Sequence, residues 1–219
     1  MLFPELSDRS FGYVNLDTEA RLWLAQNNLP LAPNPLLDPR TCQQMIDAVH
    51  LKYNLDYSYG GWFEDRSFLW KGSYLDETNG YVHLGVDFNV PIGASVAAGI
   101  NGVVDRIDTD FPTPYGWGTR VFIKHESLPL YFIYAHLDPG LSCAKGDRIK
   151  AADVFARIGQ SPQNGGWFPH LHVQTIEASF YEGLIALGTL DSLDGYGMPN
   201  DVYKNSKLFR DPLEFISLR

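Results

Sequence analysis

From about residue 80 to residue 176 the chain is a close succession of short apolar runs broken by turn residues, and this texture limits what it can fold into. Thr119–His125 and Leu130–His136 are seven-residue segments of alternating or continuous apolar character, which reads as strand and not as helix. Around them lie shorter runs at Val82–Val90, Ser95–Ala98, Gly102–Ile107, Arg148–Lys150, Val154–Gly159 and Leu171–Ile176. They are separated by turns at Pro91–Gly93, Tyr115–Gly118 and Lys145–Asp147, and by the glycine-containing loop Pro162–Pro169. Strands this short and closely spaced predict a mainly β fold, an antiparallel sheet or barrel-like sandwich. Residues 1–70 read differently and predict an N-terminal helical extension.

In that extension Asp17 is the expected N-cap of a first short helix that ends by Asn27-Asn28. The proline-rich stretch from Pro30 to Pro39 reads as an extended linker. A second helix is expected to start at Asp38-Pro39, or at Thr41 with Gln44 closing a capping box. Its apolar positions Met45, Ile46, Val49 and Tyr53 fit one helical face, with His50 a structural neighbour of that face. Gly60-Gly61, within the aromatic stretch Tyr57–Trp70, reads as a hairpin turn; alternatively the aromatics of this stretch wall a groove. The domain reading is therefore an extension, 1–70, followed by a domain, 71–219, with an insertion near 178–210. Asp211-Pro212 is positioned to cap a final short helix.

Charge and composition exclude several functions. A net charge of −9 argues against nucleic acid, which is bound by neutralising phosphates, and offers nothing to an anionic membrane. No window has the length of a membrane span. No basic, apolar leader opens the chain, so the expectation is a soluble protein, cytoplasmic as written, or at the cell envelope or secreted if a leader was removed or export is non-standard. The two cysteines, Cys42 and Cys143, have no metal or redox spacing and are expected as free thiols.

Chemistry concentrates in two clusters and one lone residue. His83-Leu-Gly-Val-Asp87 is answered by His170-Leu-His172, and His136 lies between them. Four of the six histidines fall in these segments. In a strand, residues two apart share a face, so His170 and His172 point the same way. His83 and Asp87 also share parity, but an extended chain would hold them roughly 13 Å apart; they meet only if the backbone bends, and Gly85 is where a bend is tolerated. His136 is in phase with Phe132 and Tyr134. Three ligands with an open fourth position suit a catalytic zinc, and two surplus imidazoles suit proton transfer and oxyanion stabilisation. A cupin-like site is disfavoured, because position 176 is Ile and no histidine follows His172.

At these residues the chain resembles the lysostaphin/LytM-type zinc metallopeptidases, the peptidoglycan endopeptidases with the duplicated hybrid motif fold. The matching motifs are His83-Leu-Gly85-Val-Asp87, Gly93-Ala-Ser-Val96-Ala-Ala98, Tyr134-Ala-His136-Leu137, Gly146-Asp147 and His170-Leu-His172, in order and spacing over about 80–176. The resemblance implies one Zn2+ per chain held by His83, Asp87 and His172, with His136 and His170 as the catalytic pair. His170 is then the general base, and His136 helps to stabilise the tetrahedral intermediate. The implied activity is zinc-dependent hydrolysis, by metal-activated water, of peptide bonds in peptidoglycan stem peptides or cross-bridges. The alternative is a non-catalytic zinc-binding interaction module on the same fold. Pro169 and Gln174 depart from the pattern, standing where the family commonly has Gly and often an acid.

Overall fold

The computed structural model describes residues 1–110, 114–199 and 207–218. Strand β1 (Phe11–Tyr13) leads into α1 (Leu16–Gln26), α2 (Pro39–Tyr53) and β2 (Tyr57–Gly60). The expected strand region follows as β3 (Val82–His83), β4 (Val86–Asn89), β5 (Ser95–Ala97), β6 (Gly102–Thr109), β7 (Thr119–His125) and β8 (Leu130–Leu137). It continues through β9 (Arg148–Ile149), β10 (Val154–Arg157) and β11 (Leu171–Glu177). Then come α3 (Ala178–Leu187), β12 (Tyr196–Gly197) and β13 (Phe209–Arg210). The fold is mainly β, as expected. Of the insertion expected at 178–210, residues 200–206 lie outside the described residues.

Nine strands form one sheet in the order β1-β2-β4-β11-β8-β7-β6-β9, with β13 also on β11. Every pairing is antiparallel except β1 with β2, so the sheet is mixed. Strand alternation sorts its residues onto two faces. Val86 and Phe88 of β4, Val173 of β11 and Phe132 and Tyr134 of β8 enter one apolar core with the β5–β10 ribbon. On the opposite face Ile133, Tyr131 and Ile176 pack with α3 in a second core. Asp87, between Val86 and Phe88, and His172, between Leu171 and Val173, therefore project from the face opposite the first core.

The helices correct one expectation and bear out another. The N-cap of α1 is Asn15, whose side chain accepts the Thr18 N–H. Asp17 instead accepts the N–H groups of Phe68 and Leu69, a long-range contact that captured the nearby acid. For α2 the cap is Asp38, accepting from Thr41, with Pro39 in the first turn. His50 is structural, 2.8 Å from the Ser58 hydroxyl. Both helices pack in a third core with Trp70, Tyr81, Trp167 and Phe168. The last two belong to the loop that delivers His170, so the N-terminal helices brace that loop.

Gly60-Gly61 is not a hairpin turn. Strand β2 pairs with β1 and β4, and the chain beyond it runs beside β3, with Phe63 N–H bonded to His83 O and His83 N–H to Glu64 O. Asp211 caps a short 3-10 turn, Pro212–Glu214. Both cysteines are free.

Candidate metal centre

The bend at Gly85 is present. Strands β3 and β4 are separate, interrupted at Leu84-Gly85, and the break brings His83 and Asp87 together: Nε2 of His83 lies 3.3 Å from Oδ1 of Asp87. Cross-strand register supplies the next group, since His172 sits directly opposite Asp87, with Nδ1 2.9 Å from the same Oδ1. His83 Nε2 and His172 Nδ1 are 3.0 Å apart. One ligand atom from each of the three buried residues lies within 4.8 Å of the others.

The outward-facing nitrogens decide what these atoms are. Nδ1 of His83 lies 3.0 Å from the Gly61 carbonyl, to which it can only donate. Nε2 of His172 lies 3.1 Å from Oε1 of Gln174, so the amide oxygen does what a carboxylate at that position would do. Each ring has thus committed its proton outward, and lone pairs of His83 and His172 face each other and the Asp87 carboxylate. Three acceptors at such distances repel unless a cation lies among them. Tetrahedral zinc bonds of 2.0–2.2 Å separate donor atoms by about 3.3–3.6 Å, close to these spacings. The donor set fits zinc.

His136 reaches the same cleft by an irregularity. Regular alternation would send it into the core with Phe132 and Tyr134; instead its φ is +64°, the β7–β8 register shifts beside it, and Leu137 takes the core position. This corrects the simple phase reading. Nδ1 of His136 donates to Asn164 O at 2.9 Å and Nδ1 of His170 to Phe168 O at 2.8 Å. Both rings therefore present an unprotonated Nε2. The two ring centroids are 4.4 Å apart, and His170 Nε2 is 3.7 Å from Asp87 Oδ1.

Burial dominates the electrostatics. It pushes His83 down to about 3, helped by the Arg66 guanidinium, and His136 well below the usual imidazole range, helped by His170 and His172. His170 is lowered by the same desolvation, partly offset by Asp87. Burial alone would raise Asp87, but His83 and Arg66 outweigh it and hold the carboxyl well below the usual range. In the metal-free protein the unfolded histidines, near 6.5, bind protons that the folded ones refuse. Stability is thus full above about pH 6.5 and falls as pH drops toward 3, by at most about 1.4 kcal/mol per pH unit for each such imidazole. Thermal melts in chelator should give a lower Tm at pH 5 than at pH 7; equal values would contradict neutral buried rings.

A cleft opens over these residues. Trp70 and Tyr74 from the N-terminal side, Tyr115 and Trp117 after β6, Trp167, and Asp194 to Tyr196 leading into β12 form its walls. Some of the aromatics thus line a groove, and the stretch ending at Trp70 contributes to it. Sequence reading missed Gly61, Asn164 and Arg66 as partners of the histidines and Asp87; each acts over a long sequence separation that no local pattern marks.

Gly85 itself tolerates no side chain. A Cβ there would stand 2.6 Å from both Cε1 of His172 and the Val173 carbonyl, and the latter is backbone in the middle of β11. Gly85→Ala should therefore cost about 1–3 kcal/mol of stability and displace His172, weakening metal binding. Unchanged melting and unchanged metal content would refute this.

Residues 81–181, which hold all five candidate residues, match the model of peptidase family M23. The DD-carboxypeptidase/endopeptidase Mpg of Neisseria meningitidis serogroup B is 31% identical over 93 residues, 42% of this chain and 20% of its own length. The chain thus spans about a fifth of the curated relatives it matches. Among solved structures, the catalytic domain of lysostaphin from Staphylococcus simulans is 23% identical with a TM-score of 0.44, covering 63% of this chain and 80% of that one. A zinc-containing peptidase from Vibrio cholerae is 29% identical with a TM-score of 0.36, covering 45% of this chain and 28% of that one. These likenesses are partial, and the family match stands without them. No described helix is long and apolar enough to cross a membrane.

Proposed function

We propose that the protein is a zinc-dependent endopeptidase acting on peptides of peptidoglycan, in stem peptides or cross-bridges. The observation that carries this is the convergence of three buried acceptor atoms, His83 Nε2, Asp87 Oδ1 and His172 Nδ1, with the N–H of each imidazole turned away. These three residues would hold the zinc. When bound, zinc supplies a Lewis acid that makes water more acidic and polarises a peptide carbonyl. His170 accepts the proton of the attacking water at Nε2, its ring fixed by the Phe168 carbonyl and by stacking on Phe168 at 4.4 Å. It is the better base of the pair, since it is lowered less than His136, which its neighbouring imidazoles help drive well down, and it returns the proton to the leaving amine. His136 is held neutral by burial and by two neighbouring imidazoles. Negative charge developing on the tetrahedral intermediate favours uptake of one proton from solvent at Nε2 of His136; the resulting Nε2–H donates to the oxyanion, and the proton returns to solvent when the intermediate collapses.

On this reading 71–219 is the catalytic domain, with an insertion at 178–210, and 1–70 is an extension that builds part of the cleft wall. The family match over 81–181 supports peptidase chemistry. The name of the Neisseria relative supports a substrate containing D-amino acids. The test is elemental analysis of protein purified without added metal, followed by digestion of purified peptidoglycan with separation of the released peptides. About one zinc per chain and new amino termini are expected. A zinc-loaded protein that releases none from varied cross-linked substrates would favour a binding module instead.

A further inference from the structure

Asp87 has two oxygens, and only one faces the imidazoles. Oδ1 lies 2.9 Å from His172 Nδ1 and 3.3 Å from His83 Nε2. Oδ2 is taken by Arg66, whose Nη1 donates to it at 2.5 Å. Arg66 is fully buried, 0% exposed, and lies outside the family-matched region 81–181. The structure fixes it from several sides. Its backbone N–H bonds to Tyr81 O at 3.0 Å, its Nη1 also donates to the Tyr196 hydroxyl at 3.2 Å, and its Nη2 lies 3.7 Å from the Glu64 carboxylate. Glu64 in turn accepts the Asp17 N–H, in the first turn of α1, at 2.9 Å. Gly61, at φ +104°, leaves room for the guanidinium, since a Cβ there would stand 2.4 Å from Nη2.

We infer that Arg66 is a positioning residue for the metal centre: by occupying Oδ2 it commits Asp87 to offer Oδ1 alone to the cation. A free carboxylate can bind a metal through one oxygen or both, and can rotate between the two. A buried, directional Arg–carboxylate contact removes that choice and ties the extension 1–70 to the site through Asp17, Glu64 and Arg66. The inference rests on the zinc reading above and adds to it a residue that the catalytic motifs do not contain.

Two effects of Arg66 oppose each other, and this makes the inference testable. Its positive charge repels an incoming cation, whereas its hold on Asp87 orients the ligand. A neighbour that only balanced buried charge would, once removed, leave a more negative site and tighter zinc binding. A positioning residue would leave weaker binding. Zinc and cobalt are titrated into metal-stripped full-length protein, comparing wild type, Arg66→Lys and the charge-conserving pair Glu64→Gln with Arg66→Met. Both variants are expected to bind zinc about 10–100-fold more weakly. The cobalt absorption should also weaken, as Asp87 turns to bind through both oxygens and the coordination number rises. Arg66→Lys keeps the charge, so loss there reports the lost directional Nη1 contact to Oδ2; if the double variant fails to fold, this variant alone decides. Wild-type protein that takes up no metal would overturn the zinc reading and this inference together. Wild-type binding with equal or tighter binding and an unchanged cobalt spectrum in the variants would overturn the inference and leave the zinc reading standing.

Discussion

Replacing His172 with alanine is expected to abolish zinc binding and hydrolysis together. His172 is the residue on which the three-atom cluster closes: its Nδ1 is the nearest neighbour of both Asp87 Oδ1, at 2.9 Å, and His83 Nε2, at 3.0 Å. Losing an outer partner of a metal ligand typically weakens binding about 10–100-fold, and losing the ligand itself should exceed that. Without His172, His83 and Asp87 remain as two donors from one bent segment, too few for a closed zinc site. The metal-free fold should survive, because the ring lies on the face opposite the first apolar core, at the cleft beside Trp117 and His83. The experiment compares zinc per chain, peptide release and thermal melting in wild type and His172→Ala. Near-complete loss of metal and activity at a similar metal-free Tm is expected. A variant that retains about one zinc per chain would place the metal elsewhere, and the assignment of His83 and Asp87 would fall with it.

Legibility in the sequence followed the range of the interactions. His83 and Asp87 lie in one five-residue motif, His170 and His172 in one three-residue motif, and the bend that joins the first pair sits at the only glycine between them. Such features are local, and a sequence displays them. The strands were legible for the same reason: alternation is a property of neighbours, and β7 and β8 read directly. The order of strands was not. That β1 and β2, from the extension, join the sheet beside β4 depends on pairings across dozens of residues. His136 shows where alternation misleads. One residue in left-handed conformation beside a register shift turns it out of the phase of Phe132 and Tyr134, and nothing in Tyr134-Ala-His136-Leu137 announces the shift. Asp17 was the expected cap of α1, but Phe68 and Leu69 claim the acid and Asn15 caps the helix instead. Arg66, preceded by Glu64 and Asp65, carries no local mark of burial, yet it is among the largest fully buried side chains.

The complementary result is expected for His170→Ala: zinc retained, hydrolysis lost. His170 Nε2 stands 3.7 Å from Asp87 Oδ1, outside the tight triad but beside the space where a water would attack. Its other nitrogen is committed to Phe168 O, so the ring can only accept on the cleft side while neutral. Removing a positioned general base typically lowers the rate about 10²–10⁴-fold, and the loss should fall on kcat with KM little changed, since the ring is used in the transition state more than in substrate binding. The acid limb of the pH–rate profile, where wild-type activity is lost as His170 takes up a proton, should flatten in the variant. Asp87 moderates the desolvation of His170, whereas His136, next to two imidazoles, is driven further down. This difference is why one ring of the pair is suited to take a proton and the other to be charged only when an anion forms beside it. His136→Ala should accordingly lower kcat without removing that acid limb. If instead His136→Ala abolished the limb and His170→Ala preserved it, the two roles would be exchanged while the metal triad remained; full activity in His170→Ala would end the general-base assignment altogether.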